Sequence, residues 1–513
     1  MTDVFSEFKE HSIAEFFKKN RQMLGFSGKT RSLTTIIHEL VTNSLDAAEE
    51  ERILPEISVK IEELDKDEGR YKIYVEDNGS GIPEKHLGKA MAMMLAGTKF
   101  HRFVQQRGQQ GIGAAGVTMY AQLTTGKEVH LISGYKGDKL ECDISIDFKT
   151  NKPIIKNIKR EKTDWHGLSY EAEISDVKYD RSSYGVYEYL KRTAIANPHT
   201  QIILREPDGT EHLFPRSIDI VPPKPKEVQP HPLGVSTSDL IDFAHHDKEN
   251  STLRQFLQSK FSRLSASKSQ ELDELCPDID FRKAPGKLEW GDAEKIVKVF
   301  QTVKWIAPSV EGIHPIGEKQ IEKSMVNILN PEFIEVVERK PTIFRGGIPF
   351  IVEVGLAYGG DAGKTIADRY SNDIMRFANR APLLFDGGGC AITEAVKTVE
   401  WKRYSLRKFD EEPITVLVNI SSVHIPYTGA GKQAISNESE MVEEIRNALM
   451  EAARKLKKHL HGKIREKERK ARKKAVEKYV EQLSQDLADL AEYKKPEDLK
   501  INLTKLVEEK YIG

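Results

Sequence analysis

His38-Glu39-Leu40-Val41-Thr42-Asn43-Ser44-Leu45-Asp46-Ala47 lies inside a helical pattern over 34–50. Glu39 and Asn43 are four residues apart, so both side chains share one helix face. A carboxylate beside a carboxamide suits nucleotide hydrolysis. Asn43 offers a neutral oxygen to Mg²⁺, which takes oxygen ligands and keeps several waters and phosphates of its own. Glu39 can orient or deprotonate an attacking water. Asp46 falls on the same face, where it could hold the metal's hydration shell. Taken alone, the segment is equally a polar helix face with an internal asparagine.

Two further signals follow in order. Asp77-Asn78-Gly79-Ser80-Gly81 comes directly after a strand-like run, 71–76. It is a turn by composition. It also suits a purine site: the Asp77 carboxylate can accept from an adenine amino group, and Gly81 lets backbone approach the base. Next come Gly97-Thr98-Lys99 and Arg107-Gly108-Gln109-Gln110-Gly111-Ile112-Gly113-Ala114-Ala115-Gly116, with four glycines in the last nine residues. A glycine-rich loop running into a helix N-terminus exposes backbone N–H groups that bind phosphate. Two other glycine-rich stretches mimic a P-loop and fail on spacing. Gly359-Gly360-Asp361-Ala362-Gly363-Lys364-Thr365 has Tyr358 where the first glycine belongs, and Thr428–Gln433 lacks the Ser/Thr after its lysine.

The order ExxxN on a helix, DxGxG after a strand, then GxxGxG before a helix resembles the GHKL ATPases. That superfamily includes gyrase B subunits, MutL, the large heat-shock chaperones and histidine kinases. The resemblance covers roughly residues 30–180 and implies an α/β sandwich with nucleotide between helices and a mixed sheet. It implies Glu39 as catalytic base, Asn43 as Mg²⁺ ligand and Asp77 as adenine reader. Gly108, Gln109, Gln110, Gly111, Ile112, Gly113, Ala114 and Ala115, with Thr98 and Lys99, match the phosphate lid. Where the family often has Gly-Thr on a later strand, this chain has Gly167-Leu168-Ser169.

The chain has 513 residues, with 78 Lys/Arg against 79 Asp/Glu and a net charge of -1. The average charge names no polyanion partner, so any such partner must be read locally. No apolar run reaches the roughly 18 residues of a membrane span. The first twenty residues carry no apolar signal core, so secretion is not expected and the cytoplasm is. Cys142, Cys276 and Cys390 form no CxxC pair, which fits a reducing compartment. The proline cluster Pro222-Pro223-Lys224-Pro225, with Pro230 and Pro232, marks a boundary after an α/β unit. Residues 233–307 read as helical, with runs at 239–245, 252–264 and 291–303. Residues 308–433 return to strands at 342–344, 350–357 and 414–422. From 436 to about 493 there is no proline, and apolar residues recur at 441, 445, 449, 452, 456, 460 and 464, one helical face. Unbroken, this makes a rod of very roughly 85 Å, ended by Pro496.

The glycines around Lys432 in Ile425-Pro426-Tyr427-Thr428-Gly429-Ala430-Gly431-Lys432-Gln433 would let that lysine reach a neighbouring domain. A lysine touching a terminal phosphate from there distinguishes the triphosphate from its product. With Arg376–Leu384, this loop extends the resemblance over nearly the whole chain to the B subunits of type IIB DNA topoisomerases. That family implies an N-terminal strap (1–20), a GHKL domain (21–228), a helix–two-turns–helix domain (229–307), a transducer (308–495) with its long helix at 436–495, and a tail (496–513). It makes Lys432 the switch lysine. It also implies ATP-driven pairing of two B subunits, a separate A protein that cleaves DNA, and an A2B2 assembly acting on duplex DNA. Phe5, Phe8, Phe16 and Phe17 are candidates to anchor the crossing of the two B subunits. From Arg454 to Lys474 there are twelve Lys/Arg against two Glu. On a projecting rod this makes a positive track for DNA phosphates. The apolar residues Leu499, Ile501, Leu503, Leu506 and Val507 are candidates to dock the DNA-cleaving partner. A chaperone-type or mismatch-repair GHKL ATPase would carry the same pocket without such a partner.

Overall fold

Apolar residues at every second position of Ile57–Ile61 and Tyr71–Val75 are buried while their neighbours face outward, the signature of strands with one covered face. The computed structural model describes residues 13–22, 25–94, 103–107, 113–366, 369–429, 431–492 and 495–512. Its first part contains α1 (Ile13–Asn20), α2 (Lys29–Glu50), β1 (Glu56–Asp65), β2 (Arg70–Asp77), α3 (Glu84–Ala92), α4 (Gly113–Thr125), β3 (Val129–Tyr135), β4 (Asp138–Asp147), β5 (Lys152–Lys162), β6 (Gly167–Ile174), α5 (Val186–Ala196), β7 (Gln201–Arg205) and β8 (Glu211–Phe214). One eight-stranded sheet runs β5-β4-β3-β6-β2-β1-β7-β8. Its pairs are antiparallel except β1 with β7. The helices share a single apolar core with it. The register sets Glu76 opposite Ser169, which brings Gly167 and Leu168 to the end of β2 where Asp77 sits. Phe17 is buried in this core against Phe26, so its side chain is used in packing. Phe5 and Phe8, and the Phe16 side chain, lie outside the described residues.

Residues 215–231 form neither helix nor strand, as the prolines dictate. Four short helices follow: α6 (Thr237–His246), α7 (Leu253–Lys260), α8 (Ala266–Leu275) and α9 (Trp290–Phe300). Ser236 and Asp239 make a reciprocal capping box on α6. The helical run expected over 252–264 stops at Lys260. Phe261 turns extended into the domain core, Arg263 adopts a left-handed φ of 65°, and Ser265 caps a new helix.

The third part comprises α10 (Glu318–Leu329), β9 (Phe333–Glu338), β10 (Thr342–Phe344), β11 (Ile348–Tyr358), β12 (Lys364–Ile366), β13 (Arg369–Ser371), β14 (Asp373–Ala378), β15 (Ala381–Pro382), α11 (Ala391–Thr398), β16 (Ile414–Ser422), α12 (Ser439–Leu490) and α13 (Pro496–Ile512). Strands β10-β11-β16-β14-β15 form the second sheet, with β9 also on β11 and β14 parallel to β16. β16 is buried along its whole length, and β11 at every residue but Tyr358. Val354, Leu356, Val416 and Val418 pack with α11 and α12. Ala357, Met375, Phe377 and Leu417 pack with α10 and with Ile195 and Ala196 of α5. The P-loop mimic is a turn after β11: Gly359 and Gly360 take positive φ, and Lys364 pairs with the buried Asp373 at 2.9 Å.

α12 is 52 residues long, ~78 Å at 1.5 Å per residue. Met441, Ile445, Leu449 and Leu456 are buried against the sheet, while 461–472 are exposed all round. Pro496 opens α13 rather than only ending α12, the position where a missing N–H costs nothing. α13 returns along the far end of α12, with Lys500 donating to Glu481 at 2.9 Å. Because Leu449 is fully enclosed, Leu449→Ala should cost about 2–5 kcal/mol, read as a lower urea midpoint at unchanged slope.

Candidate ATP site at the face of the first sheet

The middle turns of α2 carry the functional side chains. Its Ser44 donates to Asp77 Oδ2 at 2.7 Å, while the Gly79 and Leu168 amides donate to Asp77 Oδ1 at 2.9 and 3.2 Å. Burial nonetheless pushes the Asp77 carboxyl above its ordinary value, opposed by these three donors. Two glycines make room around it. Gly81 has φ 68°, and a Cβ there would run into the Gly134 carbonyl. Gly167 has φ 138°, and a Cβ there would run into the Asp77 carbonyl. His166 Nδ1 donates to the Gly79 carbonyl at 2.9 Å, closing the turn. Sequence spacing does not single out Ser44 or the Leu168 amide. Ser44 follows Asn43 directly, but its partner is 33 residues away, and only the pairing of β2 with β6 brings Leu168 in.

Elsewhere on the middle turns of α2, Glu39 is half-buried and Asn43 exposed. Gly113, the first residue of α4, lies against Glu39 so closely that a Cβ would strike its carboxylate. Ala114 and Ala115, in the first turn of α4, are buried. The N-terminus of α4, where a helix leaves its first backbone N–H groups outside its own ladder, therefore faces Glu39 in the middle of α2. Thr98, Lys99, Gly108, Gln109, Gln110, Gly111 and Ile112 lie outside the described residues. The Asp46 carboxylate, on the same helix, accepts from Arg107 Nη1 at 2.7 Å. Arg107 also engages Glu49 and is buried.

Lys432 comes from the other sheet's domain. Its loop is closed by a Tyr427–Ile435 bridge and by Thr428 N–H donating to the Ala434 carbonyl at 3.0 Å, with Lys432 at φ 50°. Burial pushes the His38 imidazole below its ordinary value, opposed by Glu39 and reinforced by the Lys432 ammonium. That charge is therefore felt on the helix bearing Glu39 and Asn43. Among the described residues no cluster of His, Cys, Asp and Glu resembles a transition-metal site. The three cysteines are free and buried. No described helix is long and apolar enough to cross a membrane.

Residues 28–150 match the family of histidine kinase-, DNA gyrase B- and HSP90-like ATPases. With the sandwich and the Asp77 pocket, that match defines a GHKL ATPase. Residues 308–473 match the transducer of the topoisomerase VI B subunit. The B subunit of type 2 DNA topoisomerase 6 from Pyrococcus horikoshii is 47% identical over 509 residues, covering 90% of this chain and 88% of that protein. Its counterpart from Methanothermobacter thermautotrophicus is 47% identical over 503 residues, covering 96% and 95%. This chain belongs to the topoisomerase VI B-subunit family, the ATPase subunits of a type II topoisomerase.

Asp77→Asn removes the charged acceptor. Affinity for an adenine nucleotide analogue should fall about 10- to 100-fold, the scale of a hydrogen bond to a charged group, measured by titration calorimetry. The folded-state value of Asp77 is raised, so its contribution to stability is present at low pH and lost as pH rises through that value. At pH 7 the asparagine variant should therefore melt no lower than the parent.

Proposed function

We propose that this chain is the ATP-operated gate of a DNA strand-passage machine. ATP sits with its adenine amino group on Asp77 and its base over Gly81, and its phosphates under Thr98, Lys99 and residues 108–115. Asn43 would hold Mg²⁺, which would supply positive charge against the phosphates. Glu39 positions and deprotonates water for attack on the γ-phosphorus. Lys432 engages the γ-phosphate from the transducer, so its contact exists before hydrolysis and not after. The observation that carries this reading is the pocket geometry: Asp77 held by Ser44 and by the Gly79 and Leu168 amides beside Gly81, with Gly113 of α4 set against Glu39.

In this reading ATP pairs two such chains through their GHKL domains, residues 1–20 crossing between them, and the pair closes around a duplex. The A protein of topoisomerase VI supplies the cleaving chemistry in an A2B2 heterotetramer of the cytoplasm, which relaxes supercoils and unlinks duplexes. Residues 21–228 bind ATP, 229–307 form the helical domain, 308–495 the transducer and 496–513 the tail. α13 supports a docking role for the C-terminal end. Leu499, Leu503 and Val507 are half-buried or exposed only in part, while Ile501, Leu506 and Leu490 remain exposed at 54%, 61% and 84%. On α12 the exposed Lys457, Lys458, Arg465, Lys467, Arg472 and Lys474 support a duplex track. Lys463 and Lys470 partly pair with Glu332 and Glu466.

Glu39→Ala should retain ATP binding, lose turnover and accumulate as nucleotide-trapped dimers on size exclusion. Hydrolysis at the parent rate would remove Glu39 as the base. Replacing Lys457, Lys458, Lys463, Arg469 and Lys470 by Gln should weaken duplex binding. It should also reduce the slope of log affinity against log salt by up to about 0.9 for each phosphate no longer neutralised, measured by fluorescence anisotropy. An unchanged slope would place the DNA elsewhere.

A further inference from the structure

Phe103–Arg107 lies in the chain between 95–102 and 108–112, the stretches holding Thr98, Lys99 and Gly108–Ile112. It is neither helix nor strand, yet four of its five residues are tied to a different part of the molecule. The Phe103 carbonyl accepts from Val228 N–H of the linker at 2.9 Å. The Phe103 ring meets Phe243 of the helical domain edge-on at 6.0 Å and stacks on His424 of the transducer at 6.5 Å. Gln105 pairs with the His314 backbone in both directions, donating at 2.9 Å and accepting at 2.6 Å. The Gln106 carbonyl accepts from Asn379 Nδ2 at 3.1 Å. Arg107 donates to Asp46, Glu49 and Asn197.

These partners are themselves joined. Asn379 and Arg380 form the two-residue turn between β14 and β15, both at positive φ. The Asn379 amide also exchanges hydrogen bonds with Ser422, both at 2.9 Å, at the end of β16. From there the chain runs into the loop that carries Lys432. Arg380 faces Glu49 at 4.0 Å, and its N–H donates to Asn419 Oδ1 at 3.2 Å. Asn419 in turn donates to the buried Glu353 in the middle of β11 at 2.7 Å. The side chains of this network are buried and each is held by defined partners, so the network moves as a set of discrete pairings. A cavity of about 260 Å³, lined by Asp46, Glu49, Arg107, His314 and Arg380, adjoins it and leaves room for one.

We infer that Gln105 and Asn379 are positioning residues that carry the nucleotide-dependent placement of the 103–107 segment to the β14–β15 turn. The transducer thereby reads the triphosphate site through this clip as well as through Lys432. The inference rests on the ATP site proposed above and adds a second connection to it. Neither side chain belongs to the proposed pocket.

The test uses the full chain with spin labels at Asp67→Cys on the first sheet and Lys402→Cys on the transducer. Both positions are exposed and the native cysteines are buried. With Mg²⁺ and a non-hydrolysable ATP analogue, the parent's interlabel distance should shift. Gln105→Met and Asn379→Ala, each alone, should lose most of that shift while analogue affinity stays within about threefold of the parent. If one variant fails to fold, the other decides. A full shift in either folded variant overturns the inference. So does loss of analogue binding together with the shift, which would make these residues supports of the pocket. An unmoved distance in a parent that binds the analogue overturns this inference alone, whereas a parent that binds no analogue overturns the site reading and this inference with it.

Discussion

The second sheet is covered on both faces, and everything else follows from what covers each. Its central strands β11 and β16 are buried almost throughout, so neither face is left to water. One face takes α12, the other takes α10 together with α5 of the ATPase part. The nucleotide-binding part and the long helix are thus packed on opposite sides of one slab. A close-packed slab transmits displacement rather than absorbing it. A change of seating at α5 and the β14–β15 turn can therefore appear at the root of α12.

Between the ATPase part and that slab the contacts are polar as well as apolar. Arg192 on α5 bonds buried Asp373 on β14, Arg31 bonds Asp386, and Arg380 is shared between Glu49 and the carbonyls ahead of α10. Buried ion pairs contribute little net stability because desolvation offsets their attraction. They do penalise any arrangement that leaves one charge unpaired. Arg107 and Glu49 illustrate this. Burial alone would push the Glu49 carboxyl up, yet Arg107, His199 and Arg380 hold it well below its ordinary range. The junction is therefore specific in register, which a machine that must adopt defined states requires.

The adenine end of the pocket is built by exclusion. Gly81 and Gly167 hold three strand ends too close for any Cβ. Burial pushes the Asp77 carboxyl up, opposed by donors from α2, from its own turn and from β6. The carboxylate is thus aimed and costly, which is the condition for reading a base rather than serving as a surface ion.

Much of this is legible in order along the chain. The helix with Glu39 and Asn43, the strand ending at Asp77 and the run into α4 are local patterns, and periodicity finds them because each is decided within one element. The basic stretch of α12 is legible for the same reason. Other features need the folded chain. α10 does not stand out in the sequence because its apolar face is short and packs in part on α5, far earlier in the chain. Helical spacing groups Asp46 with Glu39 and Asn43, and only the fold brings Arg107 to it from 61 residues away. Ser44 joins Asp77 only through packing of α2 on the sheet, and the Leu168 amide only through the pairing of β2 with β6. By itself the sequence determined which elements form and which side chains carry chemistry, since spacing along a helix or strand is a local quantity. Only the tertiary structure decided which charges meet and which glycines must stay bare, since those depend on register and on closure of distant segments.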